Sequence, residues 1–198
     1  SSLTYLVSSN MFSNNNIGLK VSNTTGILSN NIFEENQQSI NFTNSSLELN
    51  SCEISENDEM MYIRNCSIIF NDLEVSDSVM YFLIVDSYVT FDNLKIVDNE
   101  INNMTLSHSI LEFIDTNYEN ISIYLLDDES YIICKWTVNI NLVDINDNPI
   151  SDKWVYIYNK DNELQGSSKK SGSSGMVSDY QVTERIITKT YTSIFNPM

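Results

Sequence analysis

The chain has 198 residues, 41% of them hydrophobic, and a formal net charge of −17. A field of that sign repels phosphate backbones, which argues against nucleic-acid binding, and no apolar run approaches the roughly 18 residues of a membrane span. The acidity is uneven: residues 1–135 hold 20 of the 27 acids and 4 of the 10 bases, so the rest of the chain is nearly neutral. Residue 1 is Ser and no basic-then-apolar leader opens the chain; the expectation is a mature protein or an excised fragment.

From the N-terminus onward the dominant feature is a period of 21. SNMFSNN (9–15), NNIFEEN (30–36), SCEISEN (51–57), DLEVSDS (72–78), NLKIVDN (93–99) and IDTNYEN (114–120) repeat one pattern. Apolar columns follow it: Phe12, Phe33, Ile54, Val75, Ile96; Leu19, Ile40, Met61, Phe82; Val21, Phe42, Ile63, Ile84; Leu47, Ile68, Val89, Ile110; Leu28, Leu49, Phe70, Phe91. Past residue 103 Glu112 and Asn117 fall on apolar columns, and the neighbours Phe113 and Tyr118 point to a one-residue slip there.

Within each repeat the apolar residues sit two apart, the mark of short strands with one buried face. Between them Asn, Ser and Asp turn the chain by bonding to their own backbone. Three strands and three turns in 21 residues cannot make a meander, whereas they suit one coil of a right-handed parallel β-helix. Six coils about 4.8 Å apart make a rod of roughly 29 Å. The leucine-rich pattern L-x-x-L-x-L-x-x-N and helix-forming stretches are absent, and antiparallel sandwich strands would not keep a fixed register.

The polar series Asn15, Asn36, Asn57, Ser78, Asn99, Asn120 reads as a ladder of side-chain amides at one turn. Its alternative is a row of exposed groups that bind sugars or cations. Six Asn-X-Ser/Thr sequons are glycosylation candidates: Asn23, Asn41, Asn44, Asn65, Asn103 and Asn120. Three of them, at 23, 44 and 65, keep the period. The three cysteines, Cys52, Cys66 and Cys134, form no CxxC pair and accompany a single histidine, His108, so zinc-site spacing is absent. Small buried core residues are their expected role.

The F-x-x-N of Phe12–Asn15 and Phe33–Asn36, relaxed at Ile54–Asn57 and Ile96–Asn99, resembles the repeat of the polymorphic outer-membrane proteins. More broadly it resembles the right-handed β-helix repeats of pectate-lyase-like surface proteins, over residues 1–135. The resemblance implies adhesins, cell-envelope proteins and polysaccharide-active enzymes.

Composition shifts at Trp136. WTVNINLVD (136–144) alternates, INDNP turns, and KWVYIYN (153–159) alternates again. GSSKKSGSSG (166–175) reads as a flexible loop, and MVSDYQVTERI and TKTYTSIF as further strands. Residues 136–198 are therefore expected to form a small β-sandwich. The pattern V-x-D-x-N-x-N-P-I followed by KWVYIY resembles the carboxypeptidase-regulatory-like or bacterial-Ig-like modules of surface proteins, with a glycine turn near Gly175. VDINDNP (143–149) also resembles the calcium linker of cadherins; Asp144, Asn146 and Asp147 are then weak candidate ligands, set against a plain turn between strands. The acidic run 127–129 reads as a solvated turn.

Catalysis on this fold requires clustered carboxylates and a base. The bases of residues 1–135 are Lys20, Arg64, Lys95 and Lys135. Lys95 near Asp72 and Asp92, with Asp115 close to the same column, is the one arrangement of interest, and His108 reads as a turn residue. The expectation is a non-enzyme without a catalytic residue or cofactor, calcium being the one ion considered. It is expected at the cell surface or outside the cell as a structural or adhesive protein. Partners would be copies of itself in a head-to-tail filament, neighbouring surface proteins, or carbohydrate. The alternatives are a carbohydrate-binding or carbohydrate-cleaving β-helix and a calcium-rigidified adhesion module.

Overall fold

The computed structural model describes residues 4–58, 61–99, 101–118, 120–159, 162–190 and 192–194. Every described regular element is a strand. The chain divides into one unit ending at Ile132, rejoined by a short segment from Thr188, and a second beginning at Ile133.

The first unit is a parallel β-solenoid of about six turns with about 21 residues per turn. Its first coil runs β1 (Thr4–Ser8), β2 (Met11–Ser13) and β3 (Ile17–Ser22). The second is β4 (Thr25–Ser29), β5 (Ile32–Glu34) and β6 (Gln38–Thr43); the third β7 (Ser46–Asn50), β8 (Glu53–Ser55) and β9 (Met61–Arg64). The fourth is β10 (Ser67–Asn71), β11 (Glu74–Ser76) and β12 (Val79–Val85); the fifth β13 (Tyr88–Asp92), β14 (Lys95–Val97) and β15 (Ile101–Ser107). The sixth holds β16 (Ile110–Ile114) and β17 (Ser122–Leu125). Three parallel sheets result: face 1 is β1-β4-β7-β10-β13-β16, face 2 is β2-β5-β8-β11-β14, and face 3 is β3-β6-β9-β12-β15-β17.

Register follows the period: Phe12 pairs with Phe33, Phe33 with Ile54 and Ile54 with Val75 on face 2. From the second coil on, the inner columns hold fully buried side chains, as at Phe33, Ile40, Phe42, Leu49, Ile63 and Phe70, while Ile96 in the fifth coil is half-buried. Like side chains stack: Phe70 on Phe91 at 4.8 Å and Phe91 on Phe113 at 5.9 Å between centroids, with Phe82 edge-on to Phe91 at 5.3 Å. Such offset and edge contacts add to the area each ring removes from water.

The slip sits earlier than the sequence columns suggest. The Ser78 N–H still reaches Asn99 at 21 residues, yet Val79 pairs with Ile101 and Tyr88 with Ile110, each at 22. One residue has entered between Asn99 and Ile101. Leu111 and Phe113 therefore take the inner positions on face 1, which corrects the placement of Ile110. Tyr118 stacks on Phe113 at 5.5 Å. Glu112 lies on the other side of the strand, where its carboxylate accepts the Tyr88 hydroxyl at 2.7 Å and the Thr90 hydroxyl at 3.3 Å.

The first five coils each turn at three corners, and each of these corners opens with a residue at positive φ, as does the first corner of the sixth coil. The first corner uses Ser9, Asn30, Ser51, Asp72, Asn93 and Asp115. The second uses Asn14, Glu35, Glu56, Asp77 and Asp98, and the third Asn23, Asn44, Asn65, Asp86 and His108. Left-handed backbone costs least for Asn and Asp among residues with a side chain. The chain's 27 asparagines are explained in part by this demand.

The second unit contains β18 (Tyr131–Asn141) from Ile133 on, then β19 (Trp154–Tyr158), β20 (Leu164–Lys170), β21 (Met176–Thr188) and β22 (Thr192–Ile194). β19 and β20 form an antiparallel hairpin, as do β21 and β22. Val155 and Ile157 of β19 and Val138 and Ile140 of β18 pack on Val177, Tyr180 and Val182. GSSKK of the expected loop is strand, because β20 pairs with β19 from Leu164 to Lys170. Gly175 has φ +79, and a Cβ there would lie 2.3 Å from the Leu142 carbonyl oxygen; only glycine permits this turn. Of TKTYTSIF, Tyr191 and Phe195 lie outside the described residues.

Replacing Phe91, which is buried in the middle of its stack, with Ala is expected to cost about 4 kcal/mol in urea unfolding. Phe12→Ala, on the half-buried first coil, should cost less than half as much. Equal losses would contradict the stacked core.

Candidate functional site

The recurrent polar residues sit immediately after the positive-φ residues and point inward. At the second corner the Asn15 N–H donates to Asn36 Oδ1 (3.0 Å), Asn36 N–H to Asn57 Oδ1 (2.9 Å), Asn57 N–H to Ser78 Oγ (3.1 Å) and Ser78 N–H to Asn99 Oδ1 (2.9 Å). Their amides donate back to strand carbonyls: Asn36 to Phe12, Asn57 to Phe33 and Asn99 to Val75. Asn36 and Asn57 are buried. Asn120 is outside this ladder: the offset to the sixth coil is 22 at Leu94–Thr116 and 19 at Asn103–Ser122, neither of which sets Asn120 beside Asn99, and Asn120 is exposed.

The other corners repeat the device with different residues. At the third, Thr24 N–H donates to Ser45 Oγ, Ser45 N–H to Cys66 Sγ, Cys66 N–H to Ser87 Oγ, Ser87 N–H to Ser109 Oγ and Ser109 N–H to Ser130 Oγ. At the first, Asn10 N–H donates to Asn31 Oδ1, and Cys52 holds the next position with its thiol 3.7 Å from the Leu28 and Asn50 carbonyls. Leu73 and Leu94 interrupt that column, and Thr116 resumes it by accepting the Leu94 N–H. Cys52 and Cys66 are thus ladder residues as well as core residues. All three cysteines are buried and none is in a disulfide, and burial pushes the Cys52 and Cys66 thiols up despite nearby hydrogen bonds, which disfavours the thiolate.

Of the sequon residues, Asn23, Asn44 and Asn65 stand exposed at the third corner. Asn44 donates to Asn23 (3.1 Å) and Asn65 to Asn44 (2.9 Å), an outer amide row. It borders a groove of about 1010 Å³ that also involves Tyr5 and Lys20. Asn41 and Asn103 are half-buried on the strands of face 3, and Asn120 is exposed.

The acids of interest meet only in part. Lys95 is tied to Glu74 at 2.7 Å, and Asn93 donates to Asp72 at 2.7 Å. Burial first, then repulsion from Asp115, Asp72 and Glu112, raises the Asp92 carboxyl. A groove of about 520 Å³ takes in Lys95, Asp98 and Asp115 but neither Asp72 nor Asp92.

The weak candidates Asp144, Asn146 and Asp147 lie in one turn, and hydrogen bonds within that turn engage Asp144. Asp144 Oδ1 accepts the N–H groups of Asn146 (2.8 Å) and Asn148 (2.9 Å), and the Asn148 amide reaches both oxygens. These bonds, the Asn148 side chain foremost, lower the Asp144 carboxyl. They make Asp144 the organiser of the turn that Asp147 crosses at φ 62. Among the described residues, the one His/Cys/Asp/Glu group with ligand atoms within 4.8 Å of one another is His108, Asp127 and Glu129. His108 is a corner residue, and Asp127 closes the third ladder by accepting the Ser130 hydroxyl at 2.6 Å.

Two outward features were not visible as sites in the sequence. On face 3, Val79, Tyr81, Asn103, Thr105 and Tyr124 border a groove of about 320 Å³. On β19, Trp154, Tyr156 and Tyr158 all lie exposed. The signal for the second was the segment WVYIY itself: both alternating sets are apolar, and a strand covered on one side buries only one of them.

The fold and these sites define the chain as an all-β parallel solenoid followed by a small antiparallel unit. No protein-family model matches it, and no curated protein matches it. Among solved structures it is similar to a cyclase-associated protein from Cryptosporidium parvum, at 16% identity over 85% of this chain and 90% of that one, with a TM-score of 0.31. That likeness is too slight to carry an argument.

Desolvation would raise the Asp127 carboxyl, but hydrogen bonds from Ser130, the His108 N–H and Ser107 outweigh it and hold the value at about 2. Because the folded value is depressed from 3.8, the stability Asp127 supplies is present above that pH and lost as pH falls toward 2. Melting curves across this acid range should therefore fall less steeply for Asp127→Asn, which should also melt lower near neutral pH.

Proposed function

We propose that the chain is a non-catalytic structural or adhesive protein of the cell surface or extracellular space, a solenoid spacer joined to a small Ig-like or carboxypeptidase-regulatory-like module. The observation that carries this reading is where the repeated polar groups go. The Asn, Ser and Cys residues that recur every 21 positions point inward and bond the corners together, so their recurrence is accounted for by architecture. The candidate chemical groups favour the same reading: Lys95 is held by Glu74, Asp72 by Asn93, and Asp127 by the third ladder.

Partners are then copies of the same chain or neighbouring surface proteins, met through unpaired strand edges. A head-to-tail contact between copies need not close and would build a filament. Carbohydrate recognition or cleavage is the second reading, supported by the exposed aromatic residues of face 3 and β19 and by the acids around Asp92. Calcium rigidification is less well supported, since an ion at Asp144 would have to displace three N–H donors.

Incubation with neutral and acidic polysaccharides is expected to release no reducing ends. If ends appear and Asp92→Asn abolishes them, the non-catalytic reading fails. Sedimentation and electron microscopy over a concentration series test self-assembly: end-to-end polymers are expected, and monomers throughout would contradict the filament. Chelator should leave the melting temperature unchanged; a fall on chelation would support the calcium module instead.

A further inference from the structure

Strand β19 presents a row of aromatic rings that the fold itself does not require. Val155 and Ile157 face the cluster of Val177, Tyr180 and Val182, so the pleat turns Trp154, Tyr156 and Tyr158 to the opposite side together. They are 55%, 50% and 45% exposed, and Leu164, paired across from Tyr158, is 46% exposed. Single exposed apolar residues need no explanation, but a contiguous row of them marks a binding surface.

The row follows the length of the strand. Alternate residues of a strand rise by about 6.7 Å, so the three rings span roughly 13 Å. The Trp154 and Tyr156 centroids are 6.5 Å apart with planes inclined by 37°, side by side rather than stacked face to face. Lys170 sits 5.3 Å from the Trp154 ring centroid and is itself held by Asp152 at 2.7 Å, a cation–π contact that fixes the indole. Opposite Tyr156 the hairpin register shifts between Val155 and Ile157, which pair with Lys169 and Gln165. The intervening positions are Gly166, Ser167 and Ser168, too small to cover a tyrosine ring. Gly166 has φ +65, and a Cβ there would lie 2.6 Å from the Gln181 carbonyl oxygen, so this gap is built into the backbone.

We propose that Trp154, Tyr156 and Tyr158 form a platform for a neutral polysaccharide, whose successive sugar rings lie with their C–H faces on the aromatic planes. A sugar ring offers weakly electropositive C–H groups on its face and hydroxyls around its rim. The first suits the negative face of an aromatic ring; the second suits the tyrosine hydroxyls. Charge points the same way. Residues 136–198 hold 7 acids and 6 bases within a chain of net charge −17, so the platform neither gathers an acidic polymer nor repels a neutral one. A protein partner would call for a pocket that seats an anchor residue, whereas these three rings stand in line along one strand.

The inference deepens the adhesive reading and rests on it only for where the glycan is met. Its test uses the isolated full chain, so failure to bind leaves the spacer and self-assembly readings standing. The chain is run in affinity electrophoresis gels containing soluble xylan, galactomannan or hydroxyethyl cellulose, with alginate as the acidic control. At least one neutral polymer should retard it and alginate should not. Trp154→Ala or Tyr156→Ala should weaken retardation about tenfold or more, equivalent to about 1.4 kcal/mol, with an unchanged melting temperature. Trp154→Phe should keep most of the binding, and Ile69→Ala on the solenoid, an exposed residue outside every candidate site, should behave as wild type. No retardation by any neutral polymer, or retardation indifferent to Trp154 and Tyr156, would overturn the proposal. So would self-association abolished by Tyr156→Ala, since a second copy would then be the occupant.

Discussion

At the second and third corners of the first four coils, and at the first corner except where Leu73 and Leu94 stand in the column, one backbone N–H turns inward to a side chain of the next coil. The amide just before it, on the positive-φ residue, still bonds to the next coil, as Ser9 does to the Ser29 carbonyl. The carbonyl of the inward residue also keeps its bond, as Asn10 does with the Ile32 N–H. The inward N–H alone is left, and a buried donor without a partner costs as much as a lost hydrogen bond or more. The side chain of the matching residue one coil on supplies the acceptor, as Asn57 does for Asn36. That constraint favours a constant coil length, and where one residue is gained after Asn99 the acceptors move with it, so Ser87 reaches Ser109 and Leu94 reaches Thr116 at 22 residues.

The same constraint explains why so much of the fold was legible in the sequence. Apolar alternation located the strands, and the period located the columns, because each inward position meets its own counterpart above and below. What stayed hidden depended on events with no periodic trace. The insertion between Asn99 and Ile101 left the second ladder intact through Asn99, and the offset changes again to 19 at Asn103–Ser122, so Asn120 kept its apparent period while losing its place. Cys52 and Cys66 read as apolar residues, although a thiol can stand where its neighbours use an amide or a hydroxyl. In the second unit, Ser and Lys in β20 suggested a loop, yet cross-strand pairing with β19 decided otherwise, as often happens where tertiary context outweighs strand propensity.

Architecture also limits where function can lie. If repetition belongs to the corners and the core, then recognition belongs to outward residues that do not repeat. Tyr81 and Tyr124 on face 3 and the aromatic row of β19 have no equivalents in every coil and no interior partner to account for them. The periodic Asn23, Asn44 and Asn65 are the outward counterpart of the ladders: exposed, but bonded to one another from coil to coil. A glycan on one of these would have to displace an amide contact with its neighbour.

The central claim is that the inward side chains hold the coils together by satisfying corner amides. Urea unfolding of Asn57→Ala against Asn57→Ser tests it most directly. Asn57 accepts the Asn36 N–H and donates to the Phe33 and Ser55 carbonyls, so Ala should cost about 3 kcal/mol by stranding these groups. Ser, which holds the equivalent place as Ser78 and there accepts the Asn57 N–H, should cost about 1 kcal/mol. Equal losses for the two variants, or an Ala variant as stable as the wild type, would contradict the account.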